Sequence, residues 1–171
     1  DSQIGTSVVE PLNPVPCRVL MQIMPRISRS ARDGTLAQNE ALLNFIAPLR
    51  GTGHTCHLLG LISPGGVHAH QDLIAALANI VSKAGVPVAL HIFSDGRDTA
   101  PRSGEEYLKT LTAALPASAK IATVSGRYYA MDRDKRWERV RLAYDAITEG
   151  KGPHAKDAAH VLPEHYGREI T

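Results

Sequence analysis

Three short segments combine glycine with charged or titratable side chains, at 63–70, 94–98 and 125–133. The candidate binding residues within them are His68, Arg97, Asp98, Arg127 and Arg133. Guanidinium groups bind phosphate and carboxylate through paired hydrogen bonds, and the carboxylate of Asp98 could exchange a proton with a substrate hydroxyl. Together, these residue types predict a site for a small polyanion, with proton transfer at Asp98.

Each of the three segments follows a predicted β-strand. Apolar runs predict strands at 55–62, 86–93 and 119–124. Periodic apolar residues predict helices at 69–83, 103–115 and 133–149. This alternation predicts βαβ units and a parallel sheet with helices on both faces, a three-layer α/β/α fold. Because ligands bind beyond the carboxyl ends of parallel strands, the five candidates are expected to share one crevice.

The chain divides into three parts by pattern. Prolines at 11, 14 and 16 predict an irregular lead-in over residues 1–34. Residues 35–152 are predicted to form the α/β domain, and residues 153–171 form a polar tail or a truncated continuation. Because the sequence starts without methionine, a fragment of a longer protein is expected. Capping-box spacing predicts helix starts at Thr35 and Ser103, and the first of these helices is expected to end near Pro48.

The composition gives little support to a nucleic-acid-binding or membrane protein. A formal net charge of +2 gives no reason to expect a nucleic acid or a membrane surface as partner. No segment approaches the roughly 18 apolar residues of a membrane span, and no signal peptide is recognisable, so a cytoplasmic location is expected. The two cysteines, Cys17 and Cys56, are interpreted as reduced structural residues.

Other conspicuous residues have structural interpretations. We interpret Arg136, Arg139 and Arg141 as a solvated helix face, and His91, inside an apolar strand, as buried and hydrogen-bonded. Tyr128, Tyr129 and Trp137 are interpreted as core or cavity-wall residues.

Three long motifs carry a family resemblance. The stretches 60–72, 93–103 and 120–147 resemble, in order and spacing, the phosphotransferase domain of cofactor-independent phosphoglycerate mutases, within a match over about residues 33–152. That family interconverts 3-phosphoglycerate and 2-phosphoglycerate in glycolysis. Its members use a phosphoserine and two manganese ions that lie in a second, phosphatase-like domain.

The resemblance implies roles for individual residues. It assigns substrate binding to His68, Arg97, Asp98, Arg127 and Arg133, and acid/base catalysis to Asp98. Ser2 would align with the serine that is both nucleophile and metal ligand, although its neighbours Asp1, Gln3 and Thr6 replace Asn, Glu and His of the family motif. The remaining metal ligands and a later arginine motif have no counterpart. The chain alone is therefore expected to bind no metal, to bind substrate weakly and to turn over nothing without the missing phosphatase domain.

Two alternatives remain open from the sequence. One is a non-catalytic module that binds a phosphorylated metabolite or another chain. The other is a metal-dependent hydrolase with His68 and His70 as its first ligands, completed by histidines of the tail, which are His154, His160 and His165.

Overall fold

The computed structural model describes residues 23–100, 102–156, 158 and 161. Its helices are α1 (Ile23–Arg32), α2 (Glu40–Ile46), α3 (Gln71–Lys83), α4 (Gly104–Ala114), α5 (Arg127–Ala130) and α6 (Trp137–Glu149). Its strands are β1 (Cys56–Ile62), β2 (Val88–Ser94) and β3 (Ala119–Gly126). Short 3₁₀ helices occupy Thr35–Gln38 and Ala47–Leu49. None of these helices has both the length and the apolar character needed to cross a membrane.

The three strands form one parallel sheet in the order β1-β2-β3. Strands β1 and β2 pair in register from Cys56 opposite Val88 to Ile62 opposite Ser94. The pairing of β2 with β3 shifts between Leu90 and His91. The predicted α/β class, with a parallel sheet built from βαβ units, is therefore confirmed.

The strand order also determines where the crossover helices lie. Both crossovers move in the same direction across the sheet, and right-handed connections then place α3 and α4 on the same face. The two helices contact each other, and Nδ2 of Asn79 in α3 donates a hydrogen bond to the carbonyl oxygen of Ala114 at 3.1 Å. They form one helical layer against the sheet.

The main core lies between this helical layer and the sheet. Leu90 and Ile92 of β2 have no solvent exposure, and Leu108 and Leu111 of α4 are 1% exposed. Burying a side chain of this size contributes about 1.5–3 kcal/mol. Gly60 allows α3 to approach β1, because a Cβ at this position would lie 2.8 Å from Cδ1 of Ile74.

The opposite face of the sheet carries a hydrogen-bonded histidine pair. Nε2 of His91 lies 2.9 Å from Nδ1 of His57, and Nδ1 of His91 lies 2.9 Å from Oγ1 of Thr123. His91 is 3% exposed, which confirms the prediction of a buried, hydrogen-bonded histidine. Leu59, on the same face, is 55% exposed.

Two predicted capping boxes are wrong. Residues 35–38 form a 3₁₀ turn, and α2 is capped by Asn39, whose side chain accepts a hydrogen bond from the backbone N–H of Leu42. Ser103 directs its hydroxyl backward to the carbonyl oxygen of Ala100 and makes no capping bond to α4. In both cases a hydrogen bond to a nearby residue replaces the predicted cap, a competition that spacing alone does not reveal.

Two other local predictions also fail. Part of the predicted irregular lead-in, Ile23–Arg32, is the helix α1. Trp137, predicted as core or wall, is 73% exposed, because α6 buries Ala143 instead. The earlier residues of the lead-in, together with Ser2 and Cys17, lie outside the described residues, while Cys56 is a buried free thiol in the core.

Candidate functional site

The three sequence segments meet at one edge of the sheet. Strands β1, β2 and β3 end side by side, with Ile62 opposite Ser94 and Ser94 opposite Gly126. The loop after each strand therefore starts at the same level. This placement is the one that parallel strands predicted for the candidate residues.

Asp95, directly after β2, organises the second loop. Its Oδ1 accepts hydrogen bonds from the backbone N–H groups of Gly96, Arg97 and Asp98 at 2.7, 3.0 and 3.2 Å. Burial alone would raise the pKa of this carboxyl group, but the N–H of Arg97 and the guanidinium of Arg127 outweigh it. The pKa of Asp95 therefore lies well below its ordinary value, and the side chain is a buried carboxylate.

Arg127, the first residue after β3, joins this loop to the next strand. Its Nη1 donates to Oδ1 of Asp95 at 2.8 Å and to Oδ2 of Asp98 at 2.7 Å. The side chain of Arg127 is 12% exposed, and that of Asp98 is 17% exposed. Burial lowers the pKa of Arg127, but its hydrogen bonds to Asp98 and Asp95 outweigh this effect and raise the pKa. One guanidinium thus fixes two carboxylates.

The first loop packs against the second. Nε2 of His68 lies 3.8 Å from Oδ2 of Asp98, and the His68 side chain is 45% exposed. A Cβ at Gly65 would lie 3.2 Å from the carbonyl oxygen of Asp98, so glycine allows the two backbones to approach. Oγ of Ser63 accepts a hydrogen bond from the N–H of Gly65 at 3.0 Å and holds this turn.

The second and third loops line an open cleft of about 660 Å³. Arg97, Arg127 and Arg133 all contribute to its wall. Arg97 and Arg133 are exposed, and among the described residues neither makes an ion pair. The guanidinium groups of Arg97 and Arg133 are therefore available to an anion in the cleft, while that of Arg127 is engaged with carboxylates.

The structure brings most of the predicted site residues together, in two connected groups. Arg97, Arg127 and Arg133 line the cleft. His68 and Asp98 are not among its described lining residues. Asp98 bonds Arg127, which lines the cleft, and His68 lies 3.8 Å from the same carboxylate oxygen of Asp98.

Sequence reasoning missed two sets of residues at this edge. The first is Asp95, whose position between a strand and a glycine is a signal for a carboxylate that accepts backbone N–H groups. The second is the pair Asp132 and Arg139, both of which line the cleft. Tyr128 also lines it, which confirms its interpretation as a wall residue. The interpretation of Arg139 as a solvated residue is wrong, because its side chain is 21% exposed and bonds Asp132 at 3.3 Å.

The arrangement can bind an anion and move a proton. Oδ1 of Asp98 makes no hydrogen bond among the described residues, while Oδ2 is held by Arg127. A substrate hydroxyl could therefore reach Oδ1 while guanidinium groups bind the substrate's anionic oxygens.

The described residues give no support to the hydrolase alternative. His70 is the N-cap of α3, and its Nδ1 accepts a hydrogen bond from the backbone N–H of Asp72 at 3.3 Å. Within the described part of the chain, no three His, Cys, Asp or Glu side chains are placed to hold a metal ion. His160 and His165 lie outside the described residues.

A family model matches most of the chain. The model described as the N-terminus of BPG-independent PGAM, the 2,3-bisphosphoglycerate-independent phosphoglycerate mutase, matches residues 27–171. The chain belongs to this family. This match confirms the resemblance that the three motifs carry. It favours a phosphoglycerate mutase over the metal-dependent hydrolase.

Individual relatives agree with this assignment. A 2,3-bisphosphoglycerate-independent phosphoglycerate mutase of Gluconobacter oxydans is 66% identical over 99% of this chain and 33% of its own length. The protein of the same name from Rhodopseudomonas palustris is 51% identical over 100% of this chain and 34% of its own length. The chain thus spans about a third of the length of the curated relatives it matches.

A solved structure shares the fold. Leishmania mexicana phosphoglycerate mutase, crystallised at low cobalt concentration, matches with a TM-score of 0.79 and 27% identity. The match covers 89% of this chain and 29% of the Leishmania chain. The α/β fold of this chain therefore also occurs within a larger phosphoglycerate mutase.

Proposed function

We propose that this chain is the substrate-binding part of an enzyme that interconverts 3-phosphoglycerate and 2-phosphoglycerate. One observation carries the proposal: a cleft lined by Arg97, Arg127 and Arg133 lies beside a carboxylate, Asp98, that Arg127 holds in place. Phosphoglycerate carries a phosphate, a carboxylate and a hydroxyl. The cleft offers groups that suit each of them.

The three arginines have two different roles in this scheme. Arg97 and Arg133, which make no ion pair among the described residues, bind the anionic oxygens of the substrate. Each charge-assisted hydrogen bond of this kind contributes about 1.5–3 kcal/mol. Arg127 is a positioning residue in this scheme, because its Nη1 is already shared between Asp95 and Asp98.

Asp98 handles the proton of the substrate hydroxyl. Its free oxygen, Oδ1, accepts the proton when the hydroxyl is to be phosphorylated and returns it when the phosphoryl group leaves. His68, 3.8 Å from Oδ2 of the same carboxylate, contributes a further hydrogen-bond donor near the substrate.

The rest of the reaction belongs to the longer chain. The family resemblance implies that a serine, aligned with Ser2, carries the phosphoryl group, and that two manganese ions lie in the second, phosphatase-like domain. The described residues present no group of ligands that fits a metal ion. Within this scheme, residues 35–152 are the substrate-binding unit, the missing phosphatase domain is its partner, and the setting is cytoplasmic glycolysis.

A chimeric enzyme tests the proposal. The matching third of the Gluconobacter oxydans relative is replaced by this chain, and conversion of 3-phosphoglycerate to 2-phosphoglycerate is measured. We expect the chimera to be active. Asp98→Asn should lower its kcat by at least about 100-fold, which is the lower range of general acid–base contributions.

The matched control is Asp72→Asn, which removes an equally charged group whose side chain is 77% exposed. It should change kcat by no more than about twofold, as expected for a surface substitution. A folded chimera with no mutase activity would contradict the proposal. If that chimera still bound 3-phosphoglycerate, the non-catalytic binding module would become the better account.

A further inference from the structure

Asp132 closes the loop that carries Arg133. Oδ2 of Asp132 accepts hydrogen bonds from the backbone N–H groups of Asp134 at 3.1 Å and Arg136 at 2.9 Å. The Asp132 side chain is only 3% exposed. A buried carboxylate thus fixes the backbone on both sides of Lys135 and immediately after Arg133.

The same loop contains a strained residue. Lys135 has a φ of 58°, in the left-handed region that non-glycine residues rarely adopt. Such a conformation costs free energy and persists only where the surroundings enforce it. The two hydrogen bonds to Asp132 flank this residue and supply that restraint.

The other carboxylate oxygen of Asp132 holds a second arginine. Nη1 of Arg139 donates to Oδ1 of Asp132 at 3.3 Å. The Arg139 guanidinium carbon also lies 3.9 Å from the centre of the Tyr128 ring, within cation–π distance. Asp132, Arg133 and Arg139 all line the cleft, so one carboxylate controls two of its cationic side chains.

We propose that Asp132 is a positioning residue for the anion site: it folds the loop 131–136 so that Arg133 faces the cleft, and it fixes Arg139 against Tyr128. This inference rests on the proposed function, because it requires the cleft to bind an anionic substrate. It adds a role for a residue that acts through two arginines of the cleft.

For removal of Asp132, the proposal and simple electrostatics predict opposite changes in anion affinity. Asp132 is a negative group in the wall of an anion site, so Coulomb's law alone predicts that its removal tightens anion binding. A positioning role predicts weaker anion binding instead. Loss of the carboxylate frees the loop, so Arg133 and Arg139 are no longer held at the cleft. Asp134 is the matched control, since it lies in the same loop and cleft wall and its side chain makes no hydrogen bond among the described residues.

The test is a double-mutant cycle in the 171-residue chain. The affinity for 3-phosphoglycerate is measured by calorimetry for the parent, Asp132→Ala, Arg133→Ala and the double variant. We expect Asp132→Ala to raise Kd about tenfold, and to raise it clearly less in the Arg133→Ala background, because only the effect through Arg139 remains there. Asp134→Ala should lower Kd, because it removes a negative charge from the same cleft wall without freeing the loop.

A more conservative variant, Asp132→Asn, separates a loss of positioning from a loss of the fold. Asp132→Asn keeps an oxygen for the N–H groups of Asp134 and Arg136 but loses the charge that holds Arg139, so its Kd should fall between those of the parent and Asp132→Ala. Equal weakening by Asp132→Ala in both backgrounds, or tighter binding, would overturn the positioning role alone. A parent chain that does not bind 3-phosphoglycerate would overturn the proposed function, and the positioning role with it.

Discussion

Nη1 of Arg127 lies 2.7 Å from Oδ2 of Asp98, 29 residues earlier in the chain. The same nitrogen lies 2.8 Å from Oδ1 of Asp95. Because Arg127 follows β3 and both carboxylates follow β2, this contact links the loops of two neighbouring strands. The residue proposed to move a proton is therefore positioned by the next βαβ unit.

Asp95→Asn should destabilise the chain. The amide keeps one oxygen for the N–H groups of the loop but loses the charge that pairs with the buried guanidinium of Arg127. We expect the free energy of unfolding to fall by about 1.5–3 kcal/mol, the usual contribution of a hydrogen bond to a charged group. Urea denaturation measures this change. Asp72→Asn, at an exposed position, is the control, and an equal loss in both variants would contradict the account of Asp95.

Gly60→Ala should disturb the packing of α3 on β1. The new methyl group would lie 2.8 Å from Cδ1 of Ile74, inside van der Waals contact. Because Cδ1 ends a flexible side chain that can shift, we expect a loss of about 1 kcal/mol, the lower end of the overpacking range, which thermal or urea unfolding can measure. Gly96→Ala provides the matched control, because a Cβ there would have no atom beyond its chain neighbours within 4 Å, and the φ of Gly96 is not positive. If the two variants lost stability equally, close packing at Gly60 would not be the cause.

Stability should fall as the solution is acidified below neutral pH, in part because of His91. Burial, followed by the charge of neighbouring His57, lowers the pKa of His91 below its ordinary value of 6.5. The unfolded chain therefore binds a proton more readily than the folded chain. The corresponding stability is fully present above pH 6.5 and is lost as pH falls toward the pKa of the folded state.

Unfolding measured between pH 8 and pH 5 tests this prediction. His91→Gln should reduce the slope of stability against pH in this range, even if it lowers stability overall. NMR titration of the histidine rings provides a direct check, since the midpoint of His91 should lie below 6.5. A midpoint at or above that value would show that burial does not control this ring.

The sequence was informative where local pattern and parallel topology act together. Apolar runs located all three strands, and the rule that ligands bind at strand carboxyl ends selected the loops that meet there. His91 was also predicted as buried, because it lies within an apolar run. These features depend on neighbouring residues or on general rules of sheet connection.

Other features depend on contacts that spacing does not reveal. Arg97 stands between two carboxylates in the sequence, but the guanidinium that bonds both of them is that of Arg127. Arg139 follows the charged periodicity of an exposed helix face, yet Asp132, seven residues earlier, folds back to bond it. The turn at Lys135 lies between these two residues in the chain.

The most direct test of the central claim is calorimetric titration of the chain with 3-phosphoglycerate. The Arg97→Ala, Arg133→Ala double variant removes the two cleft guanidiniums that make no ion pair among the described residues, so it leaves the Arg127 contacts in place. The Arg50→Ala, Lys83→Ala double variant removes the same charge at exposed positions elsewhere. We predict binding by the parent and the control, and a loss of at least about 100-fold for the cleft variant, given about 1.5–3 kcal/mol for each charge-assisted bond. Equal weakening of both double variants, or no binding by the parent, would contradict the assignment of this cleft as the phosphoglycerate site.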